Sequence, residues 1–256
     1  MKEALKKILL EAGDIILSAQ NIDDVVSEKD GNANFVTKYD VKVQHFLALA
    51  LTELYPGSVF IGEEEDCTGD ALQGEAWIVD PIDGTTNFIK GLDTSAISVA
   101  YLHNGKVMVS AIYNPYRKEF FYAQRGFGAT KNDVPIHMTT AGLANNLVFF
   151  GTSPYYTELR DKTFDLAKTI LTKAGDLRRS GSAVIDFCNL AQGAAAFMFE
   201  LRLSPWDFAA SSLIIEEAGG VIAQLDGSPI RFDAPCSIGA GTPQAWKDFQ
   251  ELHWQM

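Results

Sequence analysis

Apolar residues near the start of the chain recur at the spacing of one helical face. The apolar positions are Leu5, Ile8, Leu9, Ala12, Ile15, Ile16 and Ala19. Their intervals of three and four residues predict an amphipathic helix over residues 2–20. Residues 21–39 are mainly polar and predict a loop or a hairpin. A second helix is predicted to open at Asp40 and to end at Tyr55-Pro56-Gly57.

The middle of the chain carries short β-rich runs. Strands are predicted at residues 58–62, 76–80, 95–102, 107–113 and 119–123. The pair Asn104-Gly105 between two of these runs favours a tight primed turn, because both residues tolerate a positive φ. These strands are therefore expected to form an antiparallel meander.

The last hundred residues mix strands with helices. Strands are predicted at 147–151, 194–199, 221–225 and 237–241, and helices at 163–174, 182–192 and 206–218. Strands come in runs with helices between them, without strict β-α-β alternation. This order predicts a layered α+β architecture. A weak boundary falls near residues 138–146.

Composition narrows the classes of protein that fit this pattern. The 256 residues carry 21 basic and 33 acidic side chains, a net charge of −12. An acidic chain without a basic run is a poor default binder of nucleic acid or anionic membranes. Three widely spaced cysteines form no disulfide framework and indicate a reducing compartment, which predicts a cytoplasmic location. No stretch approaches the roughly 20 apolar residues of a membrane span.

The most informative motif is Asp80-Pro81-Ile82-Asp83-Gly84-Thr85-Thr86-Asn87, which follows the apolar run Ile78-Val79. Pro81 fixes a turn through which Asp80, Asp83 and the carbonyl of Ile82 can face one point. Carboxylates with a backbone carbonyl form a hard-oxygen set that suits Mg²⁺. The alternative is an Asx-turn followed by a helix cap.

Two further acidic patches stand beside predicted elements. Glu63 and Glu64 follow the strand at 58–62, and Asp207 opens the helix at 206–218. By itself Asp207 also fits an ordinary first-turn acid that is stabilised by the helix dipole.

Taken together, the three patches resemble the signature segments of the inositol monophosphatase family. The resemblance includes the helix from Trp206 to Gly220 and runs from the first helix to about residue 241. It implies an α+β fold of αβαβα layers, as in the inositol monophosphatases and fructose bisphosphatases. Residues 1–142 would hold the meander sheet and most metal ligands. Residues 143–256 would complete a site between the two parts of one compact unit.

The resemblance also implies a set of metal ligands. Glu63, Asp80 and the carbonyl of Ile82 match the ligands of one Mg²⁺, and Asp80, Asp83 and Asp207 match those of a second. Glu63 also matches a ligand of a weaker third ion, and Asp83 matches a contact to substrate. Four carboxylates and three Mg²⁺ would leave two positive charges to meet a phosphate dianion.

The remaining site residues are likewise implied by the resemblance. Thr85 and Asp40 match the pair that orients and deprotonates the attacking water, and Gly84 and Thr85 match the backbone donors to phosphate. Ala183 and Glu200 match contacts to the hydroxyl-bearing part of the substrate. Asp40 also fits a helix N-cap, and Glu200 also fits an exposed acid at a strand end.

The function so implied is Mg²⁺-dependent hydrolysis of a small phosphorylated polyol, by a cytoplasmic homodimer that is inhibited by lithium. Fructose 1,6-bisphosphate, histidinol phosphate and a 3′-phosphorylated nucleotide are alternative substrates for the same chemistry. A metal-binding regulatory protein is a third hypothesis. Lys29 lies in the loop that reaches the metal site in the family, although it also fits a solvated loop lysine.

Overall fold

The computed structural model describes residues 1–20, 26–28, 35–64, 69–252 and 254. The helices in these residues are α1 (Lys2–Leu17), α2 (Lys38–Leu54), α3 (Thr85–Lys90), α4 (Arg160–Leu171), α5 (Ala183–Ala191), α6 (Pro205–Glu217) and α7 (Pro243–Gln250). None of them is both long and apolar enough to cross a membrane.

The strands fall into two large sheets and one short pair. They are β1 (Val26–Glu28), β2 (Phe35–Thr37), β3 (Val59–Gly62), β4 (Glu75–Asp83), β5 (Ala96–His103), β6 (Lys106–Asn114), β7 (Glu119–Gln124), β8 (Ala129–Lys131), β9 (Val134–Ile136), β10 (Leu147–Phe150), β11 (Asp176–Arg178), β12 (Phe197–Leu203), β13 (Val221–Ala223) and β14 (Cys236–Gly241).

The first large sheet has seven strands in the order β3-β4-β5-β6-β7-β8-β9. Neighbours are antiparallel except β3 and β4, which run parallel. The predicted turn between β5 and β6 is present, with φ of +48° at Asn104 and +72° at Gly105. Both central residues have positive φ, as a primed turn requires. The predicted meander is therefore confirmed, and β8 and β9 extend it.

The second sheet has five strands in the order β11-β10-β12-β14-β13. Strands β11, β10 and β12 pair in parallel, and β14 pairs antiparallel with both β12 and β13. A parallel pair needs a crossover connection. Helices α4 and α5 lie in the connections between β10, β11 and β12.

Three apolar cores separate five layers. One core lies between α1, α2 and the outer face of the seven-stranded sheet, and includes Leu47 and Trp77. A second holds α5 and α6 between the two sheets, with Ile112 on one side and Met198 on the other. The third lies between the five-stranded sheet and helices α4 and α7. The predicted αβαβα sandwich is confirmed.

Helix α6 lies at the centre of this stack. Pro205 occupies its first turn, where a missing N–H costs nothing, and Ser204 with Asp207 forms a capping box. Nine of its 13 residues are buried, on every side of the helix. Such an all-round apolar pattern is expected of a helix between two sheets. This burial fixes the position of Asp207.

Several elements differ from the sequence-based expectation. Strand β4 continues through Pro81 to Asp83, although a turn was predicted after Asp80. Strand β12 covers residues 197–203, later than the predicted 194–199. The sequence pattern also missed β11 and α7. Their sequences are short or polar, so packing onto the second sheet determines their structure.

A core substitution in α6 should destabilise the whole stack. Leu213 is fully buried between the sheets. Leu213→Ala should lower the free energy of unfolding by about 2–5 kcal/mol, because it leaves a cavity that rigid layers cannot close. Urea unfolding followed by circular dichroism measures the change. Leu49→Ala on α2, where the side chain is 61% exposed, is the matched control and should change little. Equal midpoints for Leu213→Ala and wild type would contradict the central role of α6.

Candidate active site

A cavity of about 540 Å³ opens between the two sheets. The end of β4 and the first turn of α3 form one side of it. The N-termini of α5 and α6, strand β12 and the segment after β10 form the other side. Cavities of this size are typical of sites for small molecules.

A bulge in β4 directs two carboxylates into this cavity. Asp80 pairs with Ser98 and Asp83 pairs with Ala96, so three steps on β4 face two on β5. Pro81 lies within this irregularity, where a missing N–H is tolerated. The Ile82 N–H donates to Asp80 Oδ1 at 3.0 Å, which fixes the carboxylate. The bulge re-aims side chains that regular alternation would point to opposite faces.

Asp207 brings the third carboxylate from the opposite side. Its Oδ2 accepts the Ser204 N–H at 2.7 Å within the capping box of α6. One carboxylate oxygen from each of Asp80, Asp83 and Asp207 lies within 4.8 Å of the others. The structure thus brings together three of the acids that the sequence analysis selected.

Glu63 lies beside this group because β3 and β4 are parallel and in register. Gly62 pairs with Val79, so Glu63, the first residue after β3, follows at the level of Asp80 on the neighbouring strand. Glu63 lines the cavity. A Cβ on Gly62 would come within 2.3 Å of the Gln44 side chain, whose Oε1 accepts the Glu64 N–H at 3.0 Å. Glycine at this position therefore lets α2 hold the acidic segment.

The carboxylates of the cluster make the ionised form of their neighbours less stable. The pKa of Asp80 lies well above its ordinary value, first because of burial and then because of Glu63, Asp83 and Asp207. Burial and Glu63 likewise raise the pKa of Asp207. Within the described residues, no basic side chain forms an ion pair with Asp80, Asp83 or Asp207. Buried acids without such partners need cations if they are to stay ionised together.

The donor set fits a hard divalent cation. All the converging atoms are oxygens, and a spread of 4.8 Å is compatible with shared coordination at the Mg–O distance of about 2.1 Å. The carbonyl of Ile82 lies in the same bulge and lines the cavity. Residues Glu63, Asp80, Ile82, Asp83 and Asp207 can therefore hold one or more metal ions.

A hydroxyl–carboxylate pair lies next to the acids. Thr85 Oγ1 is 3.3 Å from Asp40 Oδ1 and 3.2 Å from the Ile82 carbonyl oxygen. Asp40 is fully buried, and burial raises its pKa. The alternative interpretation of Asp40 as the N-cap of the helix is wrong, because the N-cap lies three residues earlier. Thr37 is the N-cap of α2, and Asp40 occupies the third helical position of a capping box, where its Oδ2 accepts the Thr37 N–H at 2.8 Å.

Gly84 joins the acidic bulge to α3. Its φ is +85°, and a Cβ there would lie 3.0 Å from the Thr94 carbonyl oxygen. Asn87 on α3 donates to the carbonyls of Thr94 at 2.8 Å and Ser180 at 3.0 Å. Asn87 therefore ties the β4–α3 segment to the start of α5.

The N-terminus of α5 holds Asp83, a contact that the sequence analysis missed. Asp83 Oδ2 accepts the Val184 N–H at 3.0 Å and a hydrogen bond from the Ser182 hydroxyl. Ser182 is also the N-cap of α5, and Ala183 beside it lines the cavity. A serine before an apolar helix is an N-cap signal, but its bond to Asp83 depends on the tertiary fold.

Glu200 is buried in β12, so the alternative of an exposed strand-end acid is wrong. Its Oε1 accepts the Ser153 N–H at 2.8 Å, and burial is the main cause that raises the pKa of Glu200 to about 7. A Cβ on Gly151 would lie 1.9 Å from this carboxylate. Ser153 adopts a φ of +41°, which is rare outside glycine. Neither Gly151 nor Ser153 was predicted.

Other cavity residues also escaped the sequence analysis. Asp186 on α5 is buried, and burial raises its pKa to about 6. The cavity is also lined by Arg179, Arg202, Tyr155 and Tyr156. None belongs to a local motif that marks a site. Lys29, for which a position near the metals and a solvated loop position were both left open, lies outside the described residues.

The comparisons with known proteins agree with this fold and site. The model of the inositol monophosphatase family matches residues 1–254, and the chain belongs to that family. A protein named putative Nus factor SuhB from Neisseria meningitidis is 36% identical over 214 residues, 83% of this chain and 82% of its own length.

Two solved structures have the same fold. The extragenic suppressor protein suhB of Bartonella henselae has a TM-score of 0.91 at 27% identity, and the match covers 100% of this chain and 99% of that one. A staphylococcal IMPase-II solved with inositol monophosphate bound has a TM-score of 0.83 at 26% identity, with coverages of 98% and 93%.

The electrostatics predict a stability that depends jointly on pH and Mg²⁺. A raised folded-state pKa contributes stability that is present at low pH and is lost as pH rises through the folded value, here between about pH 4 and 7 for Asp83. In EDTA the protein should therefore be destabilised from pH 5.5 to pH 8. Mg²⁺ should raise the melting temperature more at pH 8 than at pH 5.5, as measured by thermal shift.

Two asparagine variants make this test specific. Asp207→Asn should reduce both the pH dependence and the Mg²⁺ response, because it removes one of the repelling charges. Asp161→Asn, on the exposed first turn of α4, should behave like wild type. A Mg²⁺ response that is equal at both pH values, or unchanged in Asp207→Asn, would contradict cation binding by these acids.

Proposed function

We propose that the protein is a Mg²⁺-dependent phosphomonoesterase that hydrolyses a small phosphorylated polyol. The observation that carries this proposal is the hydroxyl of Thr85, held by buried Asp40 beside the cluster of Asp80, Asp83 and Asp207. A hydroxyl poised on a carboxylate next to a metal-binding cluster supplies the groups that water-mediated phosphate hydrolysis needs.

Glu63, Asp80, the Ile82 carbonyl, Asp83 and Asp207 would hold two or three Mg²⁺ ions. When bound, Mg²⁺ lowers the pKa of coordinated water and neutralises charge on the phosphate. The ions also explain how a chain with a net charge of −12 can admit an anionic substrate.

Thr85 and Asp40 would take the proton of the attacking water. Thr85 Oγ1 donates to Asp40 Oδ1, which leaves an oxygen lone pair free to accept a hydrogen bond from water. The raised pKa of Asp40 makes its carboxylate a better proton acceptor than an exposed aspartate. Asp40 is itself fixed through Thr37, so the pair is held before substrate arrives.

The other cavity residues would position the substrate. The backbone N–H groups of Gly84 and Thr85, at the start of α3, would hold the phosphate together with Asp83. Glu200 and Ala183 would contact the substrate hydroxyls. The inositol monophosphate bound to the staphylococcal relative supports a polyol substrate for this family member. Homodimer formation and inhibition by lithium remain predictions from family membership.

A regulatory protein is the second candidate, supported by the name Nus factor SuhB given to relatives at 32–36% identity. The catalytic proposal is favoured because Thr85 contacts Asp40 and the Ile82 carbonyl, next to the converging carboxylates of the acidic cluster. A protein that acted only by binding a partner would not need this geometry.

Assay of phosphate esters with Mg²⁺ and with EDTA tests the function. Inositol 1-phosphate should be hydrolysed with Mg²⁺, and EDTA should abolish the activity reversibly. Thr85→Ala should lower kcat by roughly 10²–10⁴, the range for loss of a positioned proton-transfer group. Thr86→Ala, the neighbouring threonine, is the matched control and should retain most activity. Full activity in excess EDTA, or an unchanged kcat in Thr85→Ala, would overturn the mechanism.

Glu200 should contribute to the specificity of the enzyme for polyol phosphates. Glu200→Gln should lower kcat/KM for inositol 1-phosphate by roughly 10- to 150-fold, because one charged hydrogen bond to a hydroxyl contributes about 1.5–3 kcal/mol. An aryl phosphate has no such hydroxyls and should be cleaved nearly as before. Asp207→Asn should reduce hydrolysis of both substrates. Equal losses on the two substrates in Glu200→Gln would refute its role in specificity.

A further inference from the structure

Two arginines, Arg179 and Arg202, line the same cavity as the acidic cluster. Both residues are exposed. Within the described part of the chain, neither guanidinium forms an ion pair or a hydrogen bond. They are the cationic residues of a cavity that is otherwise lined by carboxylates and neutral groups. Their charge therefore faces the space that a substrate would occupy.

Arg202 is held in place by an aromatic ring. Its guanidinium carbon lies 4.4 Å from the centroid of the Tyr156 ring. Stacking on a ring face attracts the cation and limits its rotamers, while its N–H groups stay available. Because the guanidinium covers one face of this ring, Tyr156 is better placed to support Arg202 than to stack a substrate base.

The backbone of Arg202 and its ring support are fixed by one residue. Ser153 Oγ accepts the Arg202 N–H at 3.2 Å, and the Ser153 carbonyl accepts the Tyr156 N–H at 2.9 Å. The Ser153 N–H also donates to Glu200 at 2.8 Å. Ser153 thus connects Glu200, the proposed contact to substrate hydroxyls, with the stacked Arg202 in one wall of the cavity.

We propose that the natural substrate carries a second phosphate, which is not hydrolysed, and that Arg202 binds it. The inference rests on the proposed function and narrows its substrate class from phosphorylated polyols to bisphosphorylated ones. A planar guanidinium with no protein partner matches a phosphate through two parallel hydrogen bonds. Arg179 lines the same cavity and lowers the pKa of Glu200 electrostatically, so it adds positive charge to the same region.

Matched pairs of substrates isolate the second phosphate. One pair is fructose 1,6-bisphosphate and fructose 1-phosphate, and the other is adenosine 3′,5′-bisphosphate and adenosine 3′-phosphate. The wild-type enzyme should prefer the bisphosphate in at least one pair by roughly 10- to 150-fold in kcat/KM, the range for a charged hydrogen bond. The pair that shows the preference distinguishes a sugar from a nucleotide substrate.

Variants assign that preference to Arg202. Arg202→Ala should reduce the bisphosphate-to-monophosphate ratio to near one, and Arg202→Lys should leave an intermediate ratio because it keeps charge without the planar fork. Tyr156→Phe should keep the ratio. Tyr156→Leu should lower it by about 2- to 5-fold through loss of the stacking support. Arg160→Ala, at an exposed arginine on α4 outside the cavity, should keep the wild-type ratio.

The outcomes separate this inference from the proposed function. If monophosphates are hydrolysed with Mg²⁺ but neither bisphosphate is preferred, the second-phosphate site is refuted and the phosphatase stands. A preference that survives in Arg202→Ala would also overturn the assignment. If no ester is hydrolysed, the proposed function fails, and this inference fails with it.

Discussion

The convergence of Asp80, Asp83 and Asp207 in one buried cluster is the interaction on which the rest of the structure depends. Burial and repulsion by neighbouring carboxylates raise the pKa of each of these carboxyls, so the protein must hold them together against unfavourable electrostatics. Covalent continuity and packing hold the three carboxylates together. Asp80 and Asp83 share one strand, and Asp207 belongs to a helix that is buried on all sides.

Each of the two sheets directs side chains into the cavity through a β-bulge. Strand β4 has a bulge between Asp80 and Asp83, and β12 has one between Glu200 and Leu203. In each sheet the bulge interrupts the regular alternation of side chains between the two faces, at the point where functional side chains face the cavity. The sheets therefore carry Asp80, Asp83 and Glu200, while the segments after β10 and before α5 donate hydrogen bonds to Glu200 and Asp83. This arrangement keeps the acids in place before any ligand binds.

Hydrogen bonds between distant segments make the two halves one site. The Ser182 hydroxyl and the Val184 N–H bind Asp83 across about 100 residues of sequence, and Asn87 reaches the Ser180 carbonyl. The wall formed by Ser153, Glu200 and Arg202 is assembled in the same way. The lining of the cavity thus combines carboxylates suited to a metal ion with two arginines, Arg179 and Arg202.

The local sequence by itself determined most of the elements and selected the acids. Apolar periodicity predicted α1, and Asn104-Gly105 predicted the β5–β6 turn. The motif from Asp80 to Asn87 selected the acidic segment of the candidate site. These signals act over a few residues. Tertiary structure alone decided which groups surround that motif. Gly151, Ser153, Ser182 and Arg202 stand at positions with no local signal of function. Their roles arise from register, bulges and packing between sheets that lie far apart along the chain.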